Sequence, residues 1–179
     1  MEWKNTLNRY GIIAKLFHWG MAIILIGMVI LGLVMVELPF GVQKLKLYRW
    51  HKEYGMLILM LVTLRLAWRF SNIIPPLPSH LPWWQKWAAY SVHFAFYLLM
   101  FCLPLSGWML SSAAGLPVSF FGLFVLPDLV TASEPLRLTL TLIHAWLAYF
   151  LIAAFFAHVG AALFHHFYYK DDILRRMIK

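Results

Sequence analysis

Apolar residues run almost unbroken through four stretches of the chain, residues 12–36, 50–70, 87–110 and 138–164, with short polar, basic or proline-rich connections between them. Roughly 20 apolar residues cross the hydrocarbon core as a helix. The pattern therefore predicts an all-α, integral membrane protein, a four-helix transmembrane bundle forming one domain over residues 1–179. The first stretch ends at Glu37-Leu38-Pro39-Phe40-Gly41, where a charge, a proline and a glycine punctuate a helix. A basic connection follows, GVQKLKLYRWHKE. The second stretch is the least clean. His51, Lys52 and Glu53 crowd one end and Arg65 and Arg69 the other, so these side chains must snorkel or face the bundle interior. SNIIPPLPSHLPWWQK reads as an interfacial loop. Pro104, with Ser106 and Gly107 just after it, predicts a kink in the third span. Residues 118–126, bracketed by Pro117 and Pro127, are apolar but too short to cross, and are expected to form a re-entrant or interfacial lid.

Composition agrees with a membrane location. Hydrophobic residues make up 63% of the chain and charged residues 12%, too apolar for a soluble domain. The nine Trp and eight Tyr suit aromatic belts at the two interfaces. A net charge of +8 would point to nucleic acid in a soluble protein. Here it reflects basic connections that orient the spans and contact anionic membrane lipid, and no nucleic-acid partner is expected. The first apolar stretch is too long for a signal-peptide core and is expected to remain as a span. Ten Lys and Arg fall on the two tails and on the second connection with the end of the second span, against five on the first and third connections. That asymmetry places both termini in the cytoplasm. Cys102 is the single cysteine. One thiol excludes an internal disulfide, an iron–sulfur cluster and covalent c-type haem.

The candidate chemistry lies in the histidines. His144 and His158 are fourteen residues apart on one uncharged span. That spacing is about 21 Å along a helix with a drift of roughly 40°, so the two imidazoles share a face. With alternating span directions, His18 matches the depth of His158, and His51 that of His144. Each pair is placed to clamp one flat cofactor between helices. Arg65, fourteen residues after His51, falls level with His158, where a cation suits a haem propionate or a quinone oxygen. Gly55 and Gly32 are small residues at positions where a porphyrin could approach the backbone, or where helices simply pack. A single membrane histidine is often only an interhelical hydrogen bonder. Four at two matched depths favour ligation. His93 lies at the depth of His158 and is an alternative to His18 or His158. His80 is loop-borne, and His165 and His166 are interfacial with a quinone or propionate as possible neighbours.

Paired imidazoles without carboxylate or thiolate neighbours do not make zinc sites, which take four ligands. The nine methionines are scattered, as core filler would be. Two imidazoles on one haem iron fill both axial positions and favour electron transfer over small-ligand binding. The expected cofactors are two haem b.

The chain resembles the bacterial cytochrome b-561 family, four-helix dihaem membrane cytochromes, over nearly its whole length. KLFHWGMA, YRWHKEYG with LRLAWRF, YLLMFCLPLSGW, FFGLFVLP, LIHAWLAYF and FAHVGAALFHHFYYKDDILRRM carry the resemblance. It implies His18 and His158 as axial ligands of a cytoplasmic-side haem and His51 and His144 as those of an outer one. Among compact members one activity is oxidation of superoxide outside the membrane with reduction of ubiquinone. Lys44, Lys46, Arg49 and Lys52 would steer such an anion, or else bind lipid phosphates or haem propionates. The implied role is a dihaem electron carrier passing electrons from an outer donor, superoxide among the candidates, to quinone. The alternative is a haem-bearing anchor subunit that links a dehydrogenase or hydrogenase to the quinone pool.

Overall fold

The computed structural model describes residues 2–79 and 81–178, so His80 lies outside the described residues. Helices α1 (Ile12–Glu37), α2 (Val42–Phe70), α3 (Trp83–Ala113) and α4 (Glu134–Phe164) form an antiparallel bundle. Strands β1 (Val118–Phe120) and β2 (Phe124–Leu126) lie between α3 and α4, and a short α5 (Arg175–Ile178) closes the chain. Among the described residues, α1, α3 and α4 are long and apolar enough to cross a membrane. α2 has the length but carries the charges noted above. The fold is that of an integral membrane four-helix bundle. α1 is apolar on every face and buries only Met21 and Met35, leaving residues such as Ile23 and Ile30 exposed to lipid.

Local sequence explains where the helices stop. Leu38 precedes a proline and takes an extended conformation, ending α1. The Lys44 ammonium then donates to the Val36 and Leu38 carbonyls at 3.1 and 2.8 Å, satisfying acceptors that the helix end leaves open. α3 continues through Pro104 and ends at Gly115, whose φ of +68° is the left-handed conformation glycine tolerates. Gly115 N–H donates to the Ser112 carbonyl and Leu116 N–H to that of Ser111, the two bonds of a Schellman ending.

Two expectations need correcting. The basic stretch after Gly41 is helical rather than a connection, and it adds two turns to the start of α2. Its lysines lengthen the helix instead of breaking it, because Lys44 caps α1 and Lys46 lies 4.8 Å over the Trp50 ring. Residues 118–126, expected as a re-entrant or interfacial lid, form an antiparallel β-hairpin, regular structure that the expectation did not include. Phe121 and Gly122 both take positive φ, which turns the chain within three residues, and the Ser119 hydroxyl accepts from Gly122 N–H. β1 packs on α2, where Tyr54 meets Phe121 edge-on and Lys52 donates to the Pro117 carbonyl at 2.7 Å.

The bundle has two distinct ends. At one, the connections and tails are tied together: Asn5 donates to the Ile73 carbonyl, Trp19 to that of Met177, and Arg176 to that of Pro76. This is the terminal end; the β-hairpin marks the other. After α4 a five-residue π-helical turn, His165–Tyr169, brings His165 against Asp171, Nδ1 to Oδ2 at 2.6 Å. Asp171 also accepts from Ile173 N–H. Its carboxylate is 4% exposed, so removal leaves a buried imidazole without its partner. Asp171→Ala is expected to cost about 1–3 kcal/mol and to loosen the tail. Limited proteolysis in detergent should then cut the tail after Tyr169 faster than in the native chain.

Candidate functional site

Each helix presents one stripe to the interior, and the four stripes share a spacing of seven. α1 carries His18, Leu25 and Gly32; α2 carries His51, Ile58 and Arg65; α3 carries His93, Met100 and Gly107; α4 carries His144, Leu151 and His158. Seven residues is two turns, close to one face. Ile58, Met100 and Leu151 are buried, and Leu25 packs against the mid-bundle cluster of Met21, Val62 and Met100. An apolar layer thus divides the interior into a hairpin-end site and a terminal-end site.

At the hairpin end the ring centres of His51 and His144 are 6.1 Å apart. Two glycines make room for these rings. A Cβ on Gly32 would lie 3.1 Å from His51 Cε1, and one on Gly107 3.1 Å from His144 Cε1. His51 Nδ1 is buried and lacks a hydrogen-bond partner among the described residues. His144 Nδ1 lies 3.0 Å from the Ser106 hydroxyl. A Cβ on Gly55 would meet only Met28, at 3.9 Å, and neither imidazole.

At the terminal end His158 is central. Its ring centre is 6.1 Å from that of His18 and 5.7 Å from that of His93. Arg65 reaches to 3.4 Å from His18 Nδ1. Both Arg65 and Arg69 sit 5.9 Å from the Tyr97 ring centre, and neither has an ion-pair partner among the described residues. Burial pushes the nearby Tyr10 phenol up, against the opposing pull of Arg69, Arg176 and Arg65. This end therefore holds unpaired positive charge beside neutral phenols, an arrangement that suits an acidic group.

The separations test what the imidazoles could hold. A metal–nitrogen bond of about 2 Å on each side, with each nitrogen about 1 Å from its ring centre, puts two axial imidazoles about 6 Å apart. Both matched pairs meet this. Room for a flat macrocycle depends on the backbones. α3 packs directly along α4, whereas neither α1 nor α2 packs extensively on α4. The backbones that carry His18 and His51 thus stand off from α4, while that of His93 lies in a packed seam with it. Bis-imidazole haem fits the residues present.

The remaining expected residues are engaged elsewhere. Arg49 pairs loosely with the buried Glu53 at 3.8 Å, and Lys44 and Lys52 are bound to backbone carbonyls. A cavity of about 560 Å³ lined by Arg49, Trp50, Glu53, Tyr54, Ser119, Phe121 and Gly122 opens beside the hairpin. Arg49 and Glu53 lie on the face of α2 turned away from His51, so this cavity is separate from the imidazole pair. Sequence reading missed Ser106, Gly107 and Tyr97 as site residues. One signal was available: His93 to Gly107 repeats the fourteen-residue step of His18 to Gly32.

Fold and site together define a membrane-embedded helical bundle with imidazoles paired at two depths, the class of b-type membrane cytochromes. The chain belongs to the prokaryotic cytochrome b561 family, which matches residues 9–179. It is 40% identical over 181 residues to cytochrome b561 homolog 2 of Escherichia coli strain K12, covering 99% of this chain and 95% of that one. Identity to cytochrome b561 homolog 1 of the same organism is 39% over 125 residues, 68% of this chain and 67% of the relative. The probable superoxide oxidase CybB of Yersinia pestis is 32% identical over 131 residues, 72% of each chain. As a member of this family the chain is a prokaryotic membrane electron-transfer protein with b-type haem.

Proposed function

We propose that the chain is a dihaem carrier that takes electrons from an outer-side donor, superoxide by preference, and delivers them to ubiquinone. The supporting observation is the recurrence of one imidazole separation, 6.1 Å, at two levels on either side of an apolar layer. In this reading His51 and His144 hold one haem b and His18 and His158 the other. Haem held by these imidazoles would supply a one-electron couple.

The chain's own residues do the rest. Gly32 and Gly107 leave the hairpin-end imidazoles unobstructed, and Leu25, Ile58, Met100 and Leu151 keep water from the layer between the sites. Arg65 and Arg69, with Tyr97 beside them, offer donors and positive charge to propionates or to a quinone oxygen at the terminal end. Lys44, Lys46, Arg49 and Lys52 keep the hairpin end basic, which raises the encounter rate of an anionic donor. Basic residues are in excess at the terminal end, which supports placing that end in the cytoplasm of a bacterial inner membrane. The balance is simple: two superoxide ions each give up one electron and leave as dioxygen, and one ubiquinone takes both electrons with two protons. The superoxide preference draws support from the relative named as a probable superoxide oxidase.

The test is anaerobic mixing of the purified oxidised protein with superoxide, followed optically. Fast haem reduction, with reoxidation only on adding ubiquinone, is the expected result. A chain that superoxide leaves oxidised, but that is reduced by a co-purifying dehydrogenase, would overturn the donor and favour the anchor-subunit reading.

A further inference from the structure

We infer that Ser106 fixes the tautomer of His144 and thereby presents its Nε2 as the metal-binding nitrogen. This rests on the proposal that His51 and His144 form a ligand pair, and adds a positioning residue to it. The inference follows from counting protons. A serine hydroxyl has one proton, and Ser106 Oγ lies 2.9 Å from the Leu103 carbonyl, a group that can only accept. The proton therefore goes to Leu103, in the i to i−3 bond that helical serines make with their own backbone. What Ser106 turns toward His144 Nδ1, 3.0 Å away, is a lone pair. A second lone pair facing it at that distance would repel, so Nδ1 carries the imidazole proton. A neutral imidazole has only one, which leaves Nε2 bare and able to ligate.

Surrounding residues hold this arrangement in place. Ser106 is buried, 7% exposed, so water does not readily replace it. Gly107, the next residue, leaves the space the His144 ring occupies. One short segment of α3 thus supplies both the room for the ring and the acceptor for its proton. Two of the other proposed ligands lack this support. His51 Nδ1 is buried without a partner among the described residues, and His18 Nδ1 faces Arg65, which can only donate. A ligand whose distal N–H is accepted becomes a better electron donor to its metal. Ser106 therefore holds the hairpin-end potential lower than an unsupported imidazole would.

The test uses full-length Ser106→Ala and Ser106→Thr proteins with their haem, redox titration and low-spin EPR. His144→Ala identifies which signal belongs to the hairpin end. Ser106→Ala is expected to keep both haems, to raise the potential of the hairpin-end one and to shift its EPR signal, leaving the other unmoved. Ser106→Thr, which retains the hydroxyl, is expected to restore the native values. An unchanged hairpin-end potential and signal in Ser106→Ala would overturn the inference. So would an equal change in both variants, including equal loss of that haem, since packing would then be the cause. A His144→Ala protein that keeps both haem signals would instead overturn the ligand pair beneath it.

Discussion

A His144→Ala chain is expected to purify with one b-type haem, half of the two proposed for the native chain. The imidazole it loses lies 6.1 Å from that of His51 across helices that do not pack closely, and α3 and α1 offer no substitute at that depth. α3 has Gly107 there and α1 has Gly32, neither with a side chain to ligate. The terminal-end site should survive, because the buried Ile58, Met100 and Leu151 lie between the two levels. His51→Ala should give the same spectrum as His144→Ala, and His158→Ala the complementary one. Gly107→Val should approach the His144→Ala result without touching a ligand, since even its Cβ would come within 3.1 Å of the ring. Haem per chain, read from the reduced pyridine adduct, decides the matter: half the native value in each single variant. Retention of both haems in His144→Ala, or loss of both in every variant, would rule out two independent pairs.

What makes this prediction possible was largely visible in the sequence, because the helical period is fixed. A fourteen-residue step returns to nearly the same face wherever it occurs. The steps from His144 to His158 and from His51 to Arg65 therefore placed the depths correctly. The lengths of the apolar runs gave the bundle for a similar reason. The parts that were hidden depend on contacts rather than period. Lysine is a good helix former but is also the usual residue of basic connections between spans, so the start of α2 could not be told from such a connection. Its helical state follows from Lys44 reaching back to the end of α1. The hairpin at 118–126 is set by positive φ at Phe121 and Gly122 and by packing on α2, neither of which an apolar run announces. Ser106 is the clearest case. A serine near a helical proline is unremarkable in sequence, and its significance arises only when the α4 imidazole is brought to 3.0 Å.

At the terminal end the expected result is an asymmetry between two histidines that local geometry treats almost alike. His18→Ala should lose the haem that His158→Ala loses, whereas His93→Ala should retain two haems. Spacing does not separate them, for α1 and α3 carry the same histidine-to-glycine step, and ring distance slightly favours His93, at 5.7 against 6.1 Å. Helix packing decides. α3 lies directly on α4, so a macrocycle between His93 and His158 would have to part the most extensive seam in the bundle. α1 shares no such seam with α4. The charges agree: Arg65, without a carboxylate partner among the described residues, lies beside His18 and is placed to meet an acidic edge. Its contact with His18 Nδ1 also makes a prediction of its own. Arginine only donates, so the ligating tautomer of His18 needs Arg65 to turn away, toward the acid it would bind. Arg65→Gln should therefore weaken haem retention at the terminal end while leaving the hairpin end at native occupancy, measured by the same haem assay and by EPR. Loss of a haem from His93→Ala with both kept in His18→Ala would reverse the assignment and place the cofactor in the α3–α4 seam.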